Sequence, residues 1–158
     1  MQKITTFLWF DDQALAAAEL YTSLFEDSAI VSVQHYGEAG PGQAGTVMTV
    51  TFRLAGQEFI GLNGGPAFPF TEAVSLSVDC DSQAEVDRLW GRLTDGGEPS
   101  QCGWLKDRFG LSWQITPGRL RELLSDPDPA AAQRVMTAML GMRKIDIPAL
   151  EEAYHQAG

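Results

Sequence analysis

The sequence predicts an α+β protein built from two βαβββ modules and a helical tail. The same order of elements, a strand, a helix and then further strands, occurs twice along the 158-residue chain. A stretch with two glycines and two prolines at 64–70 interrupts the pattern between the two occurrences. The predicted boundaries are a first module at 1–64, a linker at 65–71, a second module at 72–117 and a helical tail at 118–158.

The first module starts with a strand predicted over 3–10, where β-branched and large apolar residues cluster. Asp11 and Asp12 then supply an N-cap signal for a helix. One face of that helix is apolar at helical spacing, at Ala14, Ala17, Ala18, Tyr21, Leu24 and Phe25. Further strands are predicted at 29–36, 46–54 and 57–63, with Ala55-Gly56 as a tight hairpin turn between the last two.

The second module opens with alternating apolar and serine residues at 74–78, which is the pattern of a half-buried strand. Ser82 and Glu85 form a capping box for the next helix. The apolar stripe of that helix consists of Val86, Leu89, Trp90 and Leu93, and Gly96-Gly97 ends it. The remaining strands are predicted at 98–102, 103–108 and 111–116, with a hairpin loop at 107–110.

The tail predicts three helices, at 119–125, from Pro129 to Met142, and at 147–156. Asp128 stands as the N-cap and Pro129 as the first residue of the second of them. Two interpretations stay open. Either the tail packs on its own domain, or part of it covers a dimer partner, since methionine-rich surfaces are common at contacts.

The composition argues against several classes of partner. A formal charge of −10 repels the phosphates of nucleic acids and anionic membrane surfaces. The chain has no apolar run of the length of a membrane span, and its first residues lack the apolar core of a signal peptide. Two cysteines, Cys80 and Cys102, are too few for a disulfide framework. We therefore expect a cytoplasmic protein without a nucleic-acid or membrane partner.

Several segments together resemble a known family. The most specific is Trp104–Pro117, WLKDRFGLSWQITP, and the others are 3–10, 21–25, 59–66, 134–140 and 144–147. They resemble the PhnB-like branch of the vicinal-oxygen-chelate superfamily, which includes glyoxalases, bleomycin-resistance proteins and dioxygenases. Members of this branch often carry the name 3-demethylubiquinone-9 3-methyltransferase. The resemblance implies paired βαβββ modules with curved mixed sheets, and a homodimer.

The resemblance also implies where a metal would bind. Enzymes of the superfamily commonly hold a divalent ion with His, Glu or Gln side chains from four strands. Counting back from Tyr21 through the helix places the first of these positions at Thr6, and local patterns place the others at Gly61, Ala73 and Gln114. Only Gln114 offers a good ligand, and a first-row metal wants three or four. We therefore expect no metal and no other cofactor.

These positions predict which side chains line a ligand cavity. If they point to the concave side of the sheet, alternation brings neighbouring small and neutral polar residues to the same side. The predicted ligand-binding set is Thr6, Leu8, Asn63, Ala73, Ser75, Trp104, Ser112 and Gln114. The opposite, apolar set is predicted to pack on the helices, and consists of Phe7, Trp9, Ile60, Leu62, Val74, Leu76, Val78, Trp113 and Ile115.

The leading functional hypothesis is a dimer that binds a small molecule in a metal-free cavity. One alternative is an enzyme of unknown reaction, in which Gln114, Asn63 and Thr6 give hydrogen bonds to a polarised oxygen. Another is the nominal methyltransferase. A methyl donor of the S-adenosyl type needs a glycine-rich turn that leads into a helix. Gly64-Gly65 is followed by prolines and aromatic residues instead.

Overall fold

The computed structural model describes residues 2–156, and the chain divides into two compact units between Phe70 and Thr71. The described part has an α+β fold with two mixed four-stranded sheets and five helices. Each unit places one helix against one face of its own sheet. We call the opposite face of each sheet its open face. Within residues 2–156, no helix combines the length and the apolar character that crossing a bilayer requires.

The first unit contains the elements of the first predicted module. They are β1 (Thr6–Phe10), α1 (Ala14–Thr22), β2 (Ala29–His35), β3 (Val47–Leu54) and β4 (Gln57–Asn63). The strand order is β1-β4-β3-β2, with β1 parallel to β4 and the other pairs antiparallel. The predicted apolar stripe of α1 is buried through Leu24, because it packs on this sheet.

The hairpin between β3 and β4 is the predicted two-residue turn. Ala55 and Gly56 both adopt left-handed backbone angles, with φ of 48° and 83°. Two successive positive φ values characterise the type I′ turn, whose twist matches that of the flanking strands. Glycine adopts such a conformation without strain, whereas the Cβ of alanine is crowded there.

The second unit repeats the connectivity. Its sheet and helix are β5 (Ser75–Cys80), α2 (Gln83–Thr94), β6 (Glu98–Pro99), β7 (Trp104–Lys106) and β8 (Ser112–Pro117). The strand order is β5-β8-β7-β6, with β5 parallel to β8. The predicted cap of α2 is present, since Ser82 Oγ accepts from the Glu85 amide and Glu85 Oε1 accepts from the Asp81 amide. Trp113 and Ile115 are buried, 1% and 0% exposed.

The loop that joins β7 to β8 is closed by a buried carboxylate. Asp107 is 3% exposed and accepts hydrogen bonds from the amides of Phe109 and Leu111. Its second oxygen accepts from Trp113 Nε1 at 2.9 Å. Asp107 therefore holds the loop and the core tryptophan together. The sequence suggested only a charged residue in a hairpin loop at this position.

The tail forms three helices within the second unit, α3 (Gly118–Leu124), α4 (Pro129–Leu140) and α5 (Ile147–His155). As predicted, Asp128 caps α4, with its side chain accepting from the Ala130 amide. The helices share a small apolar core, which consists of Leu120, Leu123, Val135, Ile145 and Leu150. The backbone before α5 also bonds to the rest of the unit, because the amides of Cys102 and Gly103 donate to the carbonyls of Met142 and Arg143.

Candidate ligand-binding site on the second sheet

In the first unit, the predicted inward face lies against the helix. Leu8 is 4% exposed and pairs with Gly61 in the parallel ladder. A Cβ added at Gly61 would lie 3.1 Å from the Cβ of Ala14 in α1, so this face of the sheet meets the helix. By alternation Thr6 shares the face of Leu8. The predicted face is therefore wrong for Thr6, Leu8 and Asn63, which are not on the open face.

The error has a physical origin. The position of Thr6 depends on counting from the helix back across the loop at 11–13. A loop does not preserve the two-residue alternation of a strand, so one residue more or less in it exchanges the two faces. Residues 7–10 are all large and apolar, so the strand itself carries no alternation that would reveal the shift.

Asn63 has a structural role that the sequence did not reveal. Its Oδ1 accepts from the Ala14 amide at 2.8 Å, and its Nδ2 donates to the Val47 carbonyl at 3.2 Å. The first amides of a helix have no partner within the helix, and Asn63 supplies one from the end of β4. Neither Asp11 nor Asp12 is the N-cap, because that position belongs to Gln13, which makes no side-chain cap.

The open face of the first sheet carries the residues that were predicted to face the helix, Phe7, Trp9, Ile60 and Leu62. Phe7 is 57% exposed. Trp9 donates from Nε1 to the Gly65 carbonyl, and its ring meets the edge of Phe68 at a centroid distance of 4.9 Å. This open face is thus apolar over β1 and β4, whereas Thr49 and Thr51 of β3, the cross-strand partners of Leu62 and Ile60, bring hydroxyl groups to its other half.

In the second unit, the predicted alternation is present. Ser75 pairs with Ser112 across β5 and β8, and Trp104 pairs with Gln114 across β7 and β8. These side chains lie on the face opposite to the buried Trp113, and Gln114 Nε2 donates to Ser75 Oγ at 3.0 Å. Ala73 precedes the strand and is exposed. Four of the predicted ligand-binding residues, Ser75, Trp104, Ser112 and Gln114, therefore share one open face.

A pocket of about 220 Å³ opens on this face. We call it the second-sheet pocket, and its lining consists of Glu72, Glu98, Pro99, Ser100, Trp104, Leu105, Lys106 and Ser112. Ser112 is 1% exposed, and its hydroxyl has no hydrogen-bond partner among residues 2–156. Buried hydroxyl groups nearly always have a partner, so an unpaired one that lines a pocket indicates a place for a ligand atom.

Lys106 is the functional candidate that the sequence did not single out. Its ammonium group pairs with the Glu72 carboxylate from the loop before β5. The hydrogen bond to Glu72, followed by the attraction of its charge, raises the pKa of Lys106, and Glu98 adds to the effect. The same hydrogen bond lowers the pKa of Glu72. The strand position of Lys106 was visible in the sequence, but its partner is 34 residues away and outside any local pattern.

The cysteines do not supply a nucleophile to this pocket. Cys80 is buried at the end of β5, and burial, followed by the charge of Glu85, raises the pKa of its thiol to about 12. Cys102 is partly exposed and is not among the lining residues. Since the thiolate is the reactive form, the Cys80 thiol is inert near neutral pH.

The residues on the two open faces do not fit a divalent cation. Within residues 2–156, no group of three or more His, Cys, Asp or Glu side chains could hold a metal ion. Gly61 has no side chain and Ala73 has no donor atom, which leaves Oε1 of Gln114 as the one good ligand of the predicted positions, fewer than the three or four that a first-row metal needs. If the faces of the first sheet are exchanged, Phe7 and Ile60 take the places of Thr6 and Gly61, and neither side chain has an atom that could bind a metal.

Comparison with known proteins identifies the family. The model of the family described as 3-demethylubiquinone-9 3-methyltransferase matches residues 2–116. A solved structure of the PhnB protein from Bacillus cereus is 43% identical, covers 74% of this chain and 100% of its own, and superposes with a TM-score of 0.69. The chain belongs to this PhnB-like family. No curated protein sequence matches this PhnB-like chain significantly.

More distant structures share the glyoxalase/bleomycin-resistance-like fold of this PhnB-like protein. Protein PA1353 from Pseudomonas aeruginosa is 22% identical, covers 74% of the chain and 98% of its own, and has a TM-score of 0.61. The fosfomycin resistance protein FosX from Listeria monocytogenes, in complex with Mn(II) and sulfate, is 17% identical, with coverages of 79% and 100% and a TM-score of 0.55. At these identities the likeness concerns the fold alone.

The glycine pair of this PhnB-like chain does not form a phosphate- or carboxylate-binding turn. The amides of Gly64 and Gly65 donate to the carbonyls of Phe10 and Asp11, at 2.9 and 3.1 Å. Residues 64–74 form no helix. Both amides that a methyl donor would need are therefore already used to join the end of β4 to the end of β1.

Proposed function

We propose that this PhnB-like protein binds a small organic molecule in the second-sheet pocket, by hydrogen bonds and an aromatic contact and without a divalent cation. The observation that carries the proposal is the Ser112 hydroxyl, which is buried, unpaired and part of the pocket lining. An unpaired buried polar group costs about 1–3 kcal/mol. A ligand that offers a hydrogen bond to this hydroxyl recovers part of that cost.

The neighbours of Ser112 suit a ligand with a polar and an apolar end. Trp104 is partly exposed and supplies a flat aromatic surface in the same lining. Lys106 is the cross-strand partner of Ser112 and brings a charged group beside it. Small-molecule sites commonly combine an apolar wall with a few polar groups that orient the ligand.

Removing the Ser112 hydroxyl tests the proposal directly. In the unliganded protein, Ser112→Ala is expected to leave the free energy of unfolding unchanged or raise it by up to about 1 kcal/mol, because an unsatisfied group disappears. The variant is also expected to lose any small molecule that co-purifies with the wild type. Chemical denaturation measures the first effect, and native mass spectrometry of freshly purified protein measures the second.

The matched control is Ser77→Ala, an exposed serine in β5 that is outside the pocket lining. It should change neither stability nor the mass of the bound species. A clear destabilisation by Ser112→Ala would mean that the hydroxyl has a partner in the folded protein, and the proposal would lose its main support.

The homodimer that the resemblance implies and the cytoplasmic location expected from the composition stay predictions. Sedimentation velocity of the purified protein is the direct measurement for the dimer.

A further inference from the structure

The chemistry around Lys106 indicates which class of molecule the second-sheet pocket takes. One cross-strand row runs over the open face, because Ser75 pairs with Ser112, Ser112 with Lys106, and Lys106 with Glu98. Glu72 reaches the same place from the loop before β5. Two carboxylates and one ammonium group therefore line the pocket, which leaves it with one negative charge in excess.

The excess charge belongs to Glu98. The Lys106 ammonium forms its ion pair with Glu72, and Glu98 influences it only through its charge. Among residues 2–156, the Glu98 carboxylate has no ion-pair partner of its own. A positively charged group placed in the pocket would complete the pairing of these charges.

The same count of charged groups in the lining disfavours an anionic ligand. A carboxylate or phosphate would have to displace Glu72 from Lys106, or bring a third negative charge beside a single ammonium group. The whole chain carries a formal charge of −10, so its long-range field also attracts cations and repels anions.

We propose that the second-sheet pocket binds a small organic cation, with its charged nitrogen against the Glu98 carboxylate and its apolar body on Trp104. This rests on the proposed function and adds the ligand class to it. The Ser112 hydroxyl lies two strands from Glu98, next to Lys106, so it is left to a polar group at another part of the ligand. The Trp104 ring adds attraction of the cation–π type, for which tryptophan is the best aromatic partner.

Three probes of one shape and different charge test the ligand class: benzylammonium, benzyl alcohol and benzoate. The measurement is the shift of the Trp104 indole N–H signal in ¹⁵N-labelled protein at neutral pH and low salt, with the signal assigned from Trp104→Phe. Benzylammonium is expected to bind at least about tenfold more tightly than benzoate, with benzyl alcohol between them. Its affinity is expected to fall as salt is added.

Glu98→Gln is expected to weaken benzylammonium binding by about threefold to fivefold and to leave benzyl alcohol unchanged. Glu72→Gln frees Lys106 and is expected to reduce or reverse the preference for benzylammonium over benzoate. The control is Glu152→Gln, which makes the same change in net charge at an exposed position of α5. It should leave all three affinities as they are.

The outcomes separate the two proposals. Tighter binding of benzoate than of benzylammonium, or the same response of Glu98→Gln and Glu152→Gln, would overturn the ligand class and keep the pocket as a binding site. If none of the probes shifts the Trp104 signal at millimolar concentration, the pocket is not a binding site and the proposed function fails with it.

Discussion

The first and second units share one connectivity, but the open faces of their sheets differ in chemical character. The first open face is apolar along β1 and β4, with Phe7 and Trp9 on it, and the side-chain amide of Asn63 is turned to the helix. The second open face is polar, with Ser112 and Lys106 in one row and a pocket above them. Two units with one connectivity can thus present open faces of different character.

The largest expected effect concerns the buried anchor of the second unit. Asp107→Ala leaves the amides of Phe109 and Leu111 and the Trp113 indole N–H without their acceptor, so it should lower the free energy of unfolding by about 3–5 kcal/mol. Chemical denaturation measures this. Alkylation of the buried Cys80, measured by mass spectrometry, should also become faster. Cys80 lies in the same unit as Asp107, so it becomes accessible whenever that unit unfolds.

The exposed Asp95, which pairs with Arg108 on the surface, provides the control. Asp95→Ala should change stability by less than about 1 kcal/mol, since exposed ion pairs contribute little. Equal effects of the two alanine substitutions would mean that the carboxylate of Asp107 is not the anchor of the loop.

The assignment of faces in the first unit predicts the next largest effect. Gly61→Val adds a branched side chain where even a Cβ would lie 3.1 Å from Ala14 and 3.3 Å from the Phe10 ring. Overpacking of this kind costs about 1–3 kcal/mol, which thermal or chemical denaturation would detect. If Gly61 lay on the open face, as the sequence predicted, valine would be tolerated and would even favour the strand.

A glycine with free space around it serves as the comparison for Gly61. Gly91 lies within α2 and has nothing within 4 Å of an added Cβ. Gly91→Ala should therefore stabilise the protein by about 0.5–1 kcal/mol, through helix propensity alone.

The smallest expected effect concerns the hairpin between β3 and β4 in the first unit. Backbone conformation stabilises this hairpin, whereas the buried Asp107 stabilises the loop between β7 and β8 in the second unit. Ala55→Gly relieves a left-handed alanine and should stabilise the protein by about 0.5–1 kcal/mol, as measured by thermal denaturation. Gly56→Ala places a Cβ at a φ of 83° and should have the opposite sign. Effects of the same sign would contradict the type I′ assignment.

The sequence predicted the elements well and the faces of only one sheet. The helices, their order with the strands along the chain and the caps of α2 and α4 depend on local signals, such as Ser82 with Glu85 or Asp128 before Pro129. The cap predicted for α1 at Asp11 and Asp12 was wrong. The second sheet alternates serine with apolar residues, so its faces could be read directly. The first sheet has four large apolar residues in succession at 7–10, and nothing in that strand states which of them face the helix.

The site depended on contacts between residues that are distant in the chain. Gln114 was predicted from a ligand position that the resemblance implies, Ser112 from strand alternation with Gln114, and Trp104 as an aromatic side chain able to stack on a ligand. The pairing of Lys106 with Glu72 was missed, as was the capping of α1 by Asn63 from 49 residues away. No local pattern predicts a partner of this kind, because the fold itself creates the proximity.

The link between the tail and the second sheet limits where the protein can be shortened. The family match ends at residue 116, which invites expression of the matched region alone. Yet the amides of Cys102 and Gly103 donate to the carbonyls of Met142 and Arg143, and Gln83 bonds to the backbone of Ile145 and Ile147. A chain that ends at residue 116 would leave these amides and the Gln83 side chain without their partners, and would expose the surface near Gly103 that Ile145 covers. Boundaries for a minimal expressible fragment should therefore follow these bonds and not the extent of the homology.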